Sequence, residues 1–352
     1  MTTPRDVPGL GHESAPPGEE TALARVVELS REKFEHDYAN VRPVLRDQHP
    51  KSHGCVRAEF VVGPDVPGDL RHGIFAEPRT YAAWIRFSSS SSQPRPDSKR
   101  DAHGMAIKVI GVEGEKVLPF ERDETTQDFV VANSRVFFCR NASDYVVLAS
   151  RMSEGKFLRF FFGADPRKWR VREFVNMMIA TQKKVLNPLQ IRYWSQTPSA
   201  LGPQAVKYSA KPHGGAGGDE GRERRLQPPG RGHRTTARVR RGVIRLHGAA
   251  PDRSTQMPIE DPTIPWKEHA SPFRKVATIR IPAQDLTSKA RKDFAESLSF
   301  TPWHSLPDHR PLGGINRVRG AVYDAVSKLR HAKNDVPRRE PTGHDDPPSL
   351  GY

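Results

Sequence analysis

Residues 21–40, TALARVVELSREKFEHDYAN, repeat apolar positions at helical spacing. Leu23, Val26, Val27 and Phe34 mark one face, and Thr21 stands where an N-cap belongs. From 55 to 140 the texture changes to short β-like runs, CVRAEFVV, AAWIRFS, GMAIKVIGV, DFVVAN and RVFFCR, separated by turns such as GPDVPGD, PRPDSKRD and GVEGE. Closely spaced short strands of this kind predict an antiparallel barrel or sandwich. Helical periodicity returns over 144–188, in DYVVLASRMSEG and VREFVNMMIATQKKVL. Residues 189–210 read as an irregular connection ending in a strand, AVKYSA. VATIRI (276–281) is a further strand, and INRVRGAVYDAVSKLRH (315–331) a basic amphipathic helix. Residues 1–20 and the tail 332–352 are polar and Pro-rich and read as disordered.

Composition refines this outline. The 352 residues suit one large domain or two small ones, and 32 Pro with 27 Gly favour turns over a helical bundle. Two cysteines do not make a disulfide framework. The N-terminus has no apolar signal core, and no stretch approaches the ~18 apolar residues of a membrane span, so a cytoplasmic protein is expected. The net charge of +15 invites a nucleic-acid reading. Residues 211–254 alone carry eleven Lys/Arg against four Asp/Glu, which is +7 of that total. This stretch lacks the interleaved aromatics that base stacking needs, so no nucleic-acid partner is expected.

Residues 212–254, PHGGAGGDEGRERRLQPPGRGHRTTARVRRGVIRLHGAAPDRS, read as an Arg/Gly-rich disordered insertion without strand alternation or helix periodicity. Back-translation with chosen codons turns 244–254 into a credible strand in a shifted frame. A frameshift pair, and with it the loss of a barrel strand, is the expectation here.

The densest candidate chemistry lies in RDQHPKSHGCVRAEF (46–60), with His49, His53 and Cys55 close together. Structural zinc needs further soft or imidazole ligands at matched spacing, and the other cysteine, Cys139, lies in an apolar run. A longer pattern is more informative. Arg46-x-x-His49-x-Lys51 precedes a strand; Arg86-Phe87-Ser88 ends one. Arg100-Asp101-x-x-Gly104-x-Ala106-x-Lys108 and Asn133-x-x-x-Phe137-Phe138-x-Arg140 follow. Arg319-x-x-x-Tyr323 and Arg330 stand near the C-terminus. In this order and spacing the set resembles the haem-binding core of the catalase superfamily, over residues 40–210 and 257–331. The likeness is to short bacterial catalase-related proteins.

The resemblance implies an α+β fold: an antiparallel β-barrel of the haem-dependent catalase type with flanking helices and no C-terminal helical domain. It would form one domain over 21–331 and bind a b-type haem (iron). Tyr323 takes the position of the iron ligand, and Arg319, four residues earlier on the same helix face, would favour its phenolate. His49 takes the distal position, a general base then acid for splitting a peroxide bond. Ser88 would orient His49, and Asn133 would hydrogen-bond peroxide. Arg46, Arg86 and Arg330 match the propionate-binding arginines, a role suited to the guanidinium fork. Phe138 and Tyr145 match haem-wall positions. His53 and Cys55 match no functional position. Gln48 stands where large catalases carry a small apolar residue, a departure expected to crowd peroxide or pull on His49. The implied activity is decomposition of hydrogen peroxide or organic hydroperoxides. The alternatives are fatty-acid hydroperoxide isomerisation of the allene oxide synthase type, or a non-catalytic product with a damaged barrel. An oligomer is left open.

Overall fold

The computed structural model describes residues 13–91, 96, 99–185, 187–213, 238–239, 242–249, 257–285 and 288–345. Helix α1 (Glu19–Asp37) leads into strands β1 (Lys51–Val62), β2 (Arg79–Ser89), β3 (His103–Ile110) and β4 (Thr126–Ala132). Helices α2 (Ala142–Ser153), α3 (Leu158–Phe161) and α4 (Val171–Thr181) follow. Then come β5 (Tyr193–Trp194), β6 (Ser199–Leu201), β7 (Gln204–Pro212), β8 (Arg238–Val239), β9 (Gly242–Ala249), β10 (Arg274–Ile281) and β11 (Gln284–Asp285). Helices α5 (Lys289–Ser297) and α6 (Gly314–Asn334) complete the order.

The main sheet runs β5-β4-β3-β2-β1-β10-β9-β7 with every pairing antiparallel, and a β5–β7 pairing closes it into an eight-stranded barrel; β6 hangs on β7. Closure removes the exposed edges that an open sheet presents. Period-two alternation decides which side chains enter the barrel. On β1 these are Val56, Ala58, Phe60 and Val62, on β2 Ala83, Ile85 and Phe87, on β3 Met105, Ile107 and Val109, and on β7 Val206, Tyr208 and Ala210. Outside the barrel, α1 and α6 pack through Val26, Phe34, Val318, Val322 and Val326, and α2 joins them through Ala142 and Tyr145.

Three expectations change. The Arg/Gly-rich segment does supply a barrel strand. In β9, Ile244 and Leu246 point into the core while Arg245 and His247 point out, and the strand pairs with both β7 and β10. The barrel is therefore closed by the residues as they stand, without the shifted frame. The alternation spans only a few residues, and the surrounding arginines hid it. The remainder of the insertion lies outside the described residues. The C-terminal tail is anchored rather than loose. Helix α6 runs on to Asn334, Glu340 ion-pairs with Lys108 at 2.6 Å, and His344 packs edge-on against Trp84. At the other end, Glu13 pairs with Arg310 at 2.6 Å and Arg317 at 2.7 Å. Two local details also differ. Helix α1 starts at Glu19 behind Gly18 rather than at a Thr21 cap, and RVFFCR (135–140) forms no strand. Among the described residues no helix is long and apolar enough to cross a membrane.

Candidate functional site

The loop before β1 carries His49 in a left-handed backbone conformation (φ 58°), which costs energy for a residue with a side chain. The turn swings its imidazole toward the end of β2, where Nδ1 lies 3.1 Å from Ser88 Oγ. Gly104 on β3 allows this contact. A Cβ there would stand 2.8 Å from His49 Cε1 and 3.1 Å from Ser88 Oγ, so any larger residue would displace the ring. Burial first, and then the nearby Arg86 guanidinium, lower the His49 pKa to about 4. The field of Arg319 adds to the same lowering, so the loop histidine and the α6 arginine share one electrostatic neighbourhood. At neutral pH His49 is an uncharged base.

Gln48 is exposed and donates to Asp47 at 3.1 Å, away from the imidazole. The expected crowding therefore does not arise. His53 belongs to β1, hydrogen-bonds Ser89 Oγ at 2.6 Å and stacks near His103. Cys55 is buried behind β1 with Trp84 and Leu298, and burial pushes its thiol up to about 12. Both are parts of the strand.

Asn133 ends β4. Its Oδ1 accepts from the His103 amide at 3.0 Å, its Nδ2 donates to the Ala180 carbonyl at 3.4 Å, and its own carbonyl accepts from Lys183 at 2.9 Å. Its first job is to tie β3, β4 and the end of α4 together. Only the long Nδ2 bond is weak enough to be given up easily to another acceptor.

On α6, Arg319 and Tyr323 lie one turn apart, with the guanidinium 5.5 Å from the phenol ring centroid. Arg319 is held on its other side by Thr197 Oγ1 at 3.2 Å and Asn316 Oδ1 at 3.3 Å. Tyr145 stacks on Phe137, which stacks on Phe138. Burial raises the Tyr145 pKa, and Tyr323 and Arg319 both contribute to its field. Tyr145 and Tyr323 therefore share one electrostatic neighbourhood.

Arg46, Arg86 and Arg330 converge on the C-terminal turn of α5. Arg46 donates to Glu296 at 2.6 Å and to the Ala295 carbonyl at 2.9 Å. Arg86, 3% exposed, reaches Glu296 at 3.3 Å and the His49 carbonyl at 3.1 Å. Arg330 bonds the Glu296 carbonyl, and the Leu298 carbonyl and Ser299 Oγ at 3.1 Å each. Two of the arginines thus pair with the Glu296 carboxylate while Arg330 acts on it through space, and together they hold that carboxylate below its usual range against the opposing effect of burial. Glu296 is the site residue that sequence reasoning missed. It lies 250 residues from Arg46 along the chain, so no local spacing connects them. An N-cap signal at Ser288 marks its helix, but not its partners.

This arrangement suits the donor set of a haem. It offers a phenol on α6 and a neutral imidazole in the loop before β1. Beside them is a cluster of three guanidiniums, a group whose fork suits carboxylates such as propionates.

Solved structures share the architecture. A fungal catalase superposes with a TM-score of 0.58 at 15% identity, over 86% of this chain and 62% of its own. Catalase A from Saccharomyces cerevisiae gives 0.58 and 15%, over 86% and 64%. A bacterial catalase gives 0.56 and 15%, over 99% and 70%. The chain therefore spans a little under two-thirds of the first two. No family model matches the sequence, and no curated protein does. The chain has the catalase fold: an eight-stranded antiparallel barrel with flanking helices.

Proposed function

We propose that this protein binds one b-type haem and decomposes hydrogen peroxide or organic hydroperoxides. The observation that carries the reading is the convergence of Arg46, Arg86 and Arg330 on the C-terminal turn of α5, at the Glu296 carboxylate and its neighbouring carbonyls, beside the His49–Ser88 pair. Tyr323 would hold the iron, with Arg319 beside its ring favouring the phenolate. Phe138 and Tyr145 would wall the macrocycle. Bound haem supplies the redox iron at which a peroxide O–O bond is split.

The chain's own part is proton handling. With its proton on Nδ1 and donated to Ser88 Oγ, His49 keeps the Nε2 lone pair free. That nitrogen would take a proton from one peroxide oxygen and return it to the other, as base and then acid. The low His49 pKa keeps it in the base form at neutral pH. Asn133 Nδ2 would steady the peroxide by exchanging its long bond to Ala180.

The test is Tyr323→Phe. The unaltered protein should retain haem with the optical spectrum of a high-spin ferric phenolate complex, and the variant should lose that spectrum and most of its haem. Unchanged haem content and spectrum in the variant would falsify the ligand assignment. A wild-type protein that takes up no haem would favour a non-catalytic product. Assays on hydrogen peroxide and on a fatty-acid hydroperoxide separate decomposition from isomerisation, because only the first releases oxygen or consumes a reductant.

A further inference from the structure

Outside the barrel, where β5 and β7 face the loop that follows residue 257, lies a second site. A small open cleft there is lined by Trp194, Gln196, Lys207, Trp266, Phe273, Arg135 and Ser271. Lys207 faces outward from β7 because its neighbours Val206 and Tyr208 fill the barrel. It is 5% exposed, and its Nζ has no hydrogen-bond partner among the described residues; the nearest favourable contact is the face of Trp266, 5.2 Å away. Trp194 Nε1, a donor only, is likewise buried without an acceptor. Two orphaned buried donors at one cavity are costly unless something accepts from them.

The charge balance says what kind of acceptor is missing. Arg135 and Arg192 share Glu268, the latter at 3.2 Å, and both guanidiniums lie over Trp194. Lys207 adds a third cation and no further carboxylate. Asp261 acts on it only through space and is already engaged with Thr263 and Arg172. A water molecule would accept from the two donors, but it brings hydrogens of its own and no charge. We propose that this cavity is a carboxylate site, in which one carboxylate accepts from Lys207 Nζ and Trp194 Nε1 while its hydrocarbon end lies against Trp266 and Phe273. Burial of Lys207 lowers its pKa to about 7, and a bound carboxylate removes that penalty by pairing with the ammonium. The aromatic lining suits the apolar end of an organic acid better than a halide or a phosphate. Free short-chain acids and the carboxyl end of a longer chain share this head-group chemistry, and chain length distinguishes them.

The proposal is independent of haem, so its test uses the full-length protein as isolated. Acetate, hexanoate and chloride are titrated by calorimetry, with the melting temperature followed in parallel, since a ligand that binds only the folded state raises it. Acetate should bind saturably and raise the melting temperature. Hexanoate binding at least as tightly identifies a chain end as the occupant, and binding confined to acetate identifies a free short acid. Lys207→Met should weaken acetate by about tenfold or more, the loss of one charge-assisted hydrogen bond. Trp194→Phe should weaken it by less. Should Lys207→Met fail to fold, the wild-type and Trp194→Phe titrations still decide. No saturable heat with either acid, equal binding of chloride, or unchanged acetate affinity in both variants overturns the proposal.

Discussion

Among the buried groups of charged side chains in the described residues, two differ in their balance. On the outer face of β3 and β4, Lys108 is fully buried between Asp128 at 2.7 Å and Glu340 at 2.6 Å. Glu121 bonds His304 and Arg338, while Thr126 Oγ1 donates to Glu340 at 2.8 Å. Here carboxylates outnumber the permanent cations, burial holds the Asp128 carboxyl above its usual range, and the tail closes over the group. In the other group, Arg46 and Arg86 pair with the Glu296 carboxylate and Arg330 binds carbonyls of the same turn. Buried charges persist when their partners are in place. The first group fastens the C-terminal tail to the barrel; under the proposed function the second would receive the propionates of a haem.

The sharpest way to break the comparison is to remove one cation from each group. Lys108→Met leaves buried carboxylates unpaired and should cost ~3–5 kcal/mol, read from urea unfolding of the haem-free protein. Arg86→Met removes one of an excess of cations and should cost clearly less stability. Its effect should instead appear as haem affinity weakened by about tenfold to a hundredfold, the worth of one charge-assisted hydrogen bond. If both variants lose stability equally and haem affinity does not move, the arginine cluster is structural after all.

The same contrast shows what the sequence reveals. Strands β1 to β4 are legible because their alternation runs for seven residues or more and turns flank them. The His49–Ser88 pair is legible only through the spacing of a larger motif, since neither residue stands out in its own surroundings. Strand β9 was missed because Ile244 and Leu246 are its only deeply buried side chains and sit among arginines. Its inclusion is decided by pairing with β7 and β10, a non-local effect. Helix α5 went unread because KARKDFAES is mostly polar, and Glu296 therefore went unread as well. The tail's role depends on Glu340 meeting Lys108 across 232 positions of chain, which no periodicity reports.

A smaller effect should appear with pH. Burial lowers His309 to about 3, and His49, His247 and His331 to about 4. His309 Nε2 accepts from the Ile74 amide at 3.0 Å, so it must stay neutral to keep that bond. The unfolded chain titrates its histidines near 6.5 and therefore binds more protons than the folded one below that pH. Stability then falls as pH drops from about 6.5 toward 4, and levels off with respect to these groups once the folded forms are also protonated. The melting temperature of the haem-free protein should decline across this window, and less so in His309→Gln. A melting temperature that stays flat from pH 7 to 4 rules out the buried neutral histidines.

The smallest effect is expected at Gln48, which is exposed and bonded to Asp47 rather than directed at the imidazole. His49 is positioned instead by its own left-handed backbone, by Ser88 and by the space that Gly104 leaves. Gln48→Val breaks one exposed neutral-to-charged hydrogen bond, so stability should change by no more than about 0.5 kcal/mol. Peroxide turnover by the haem-loaded protein should stay within about twofold of the unaltered rate, because the acid–base pair is not touched. Gly104→Ala is the matched control. Its new methyl would displace the His49 ring and should lower turnover far more while leaving haem content intact. A large rise in turnover for Gln48→Val, with little change for Gly104→Ala, would mean that Gln48 rather than the Ser88–Gly104 contact governs the imidazole, and the geometry assigned to His49 would have to be abandoned.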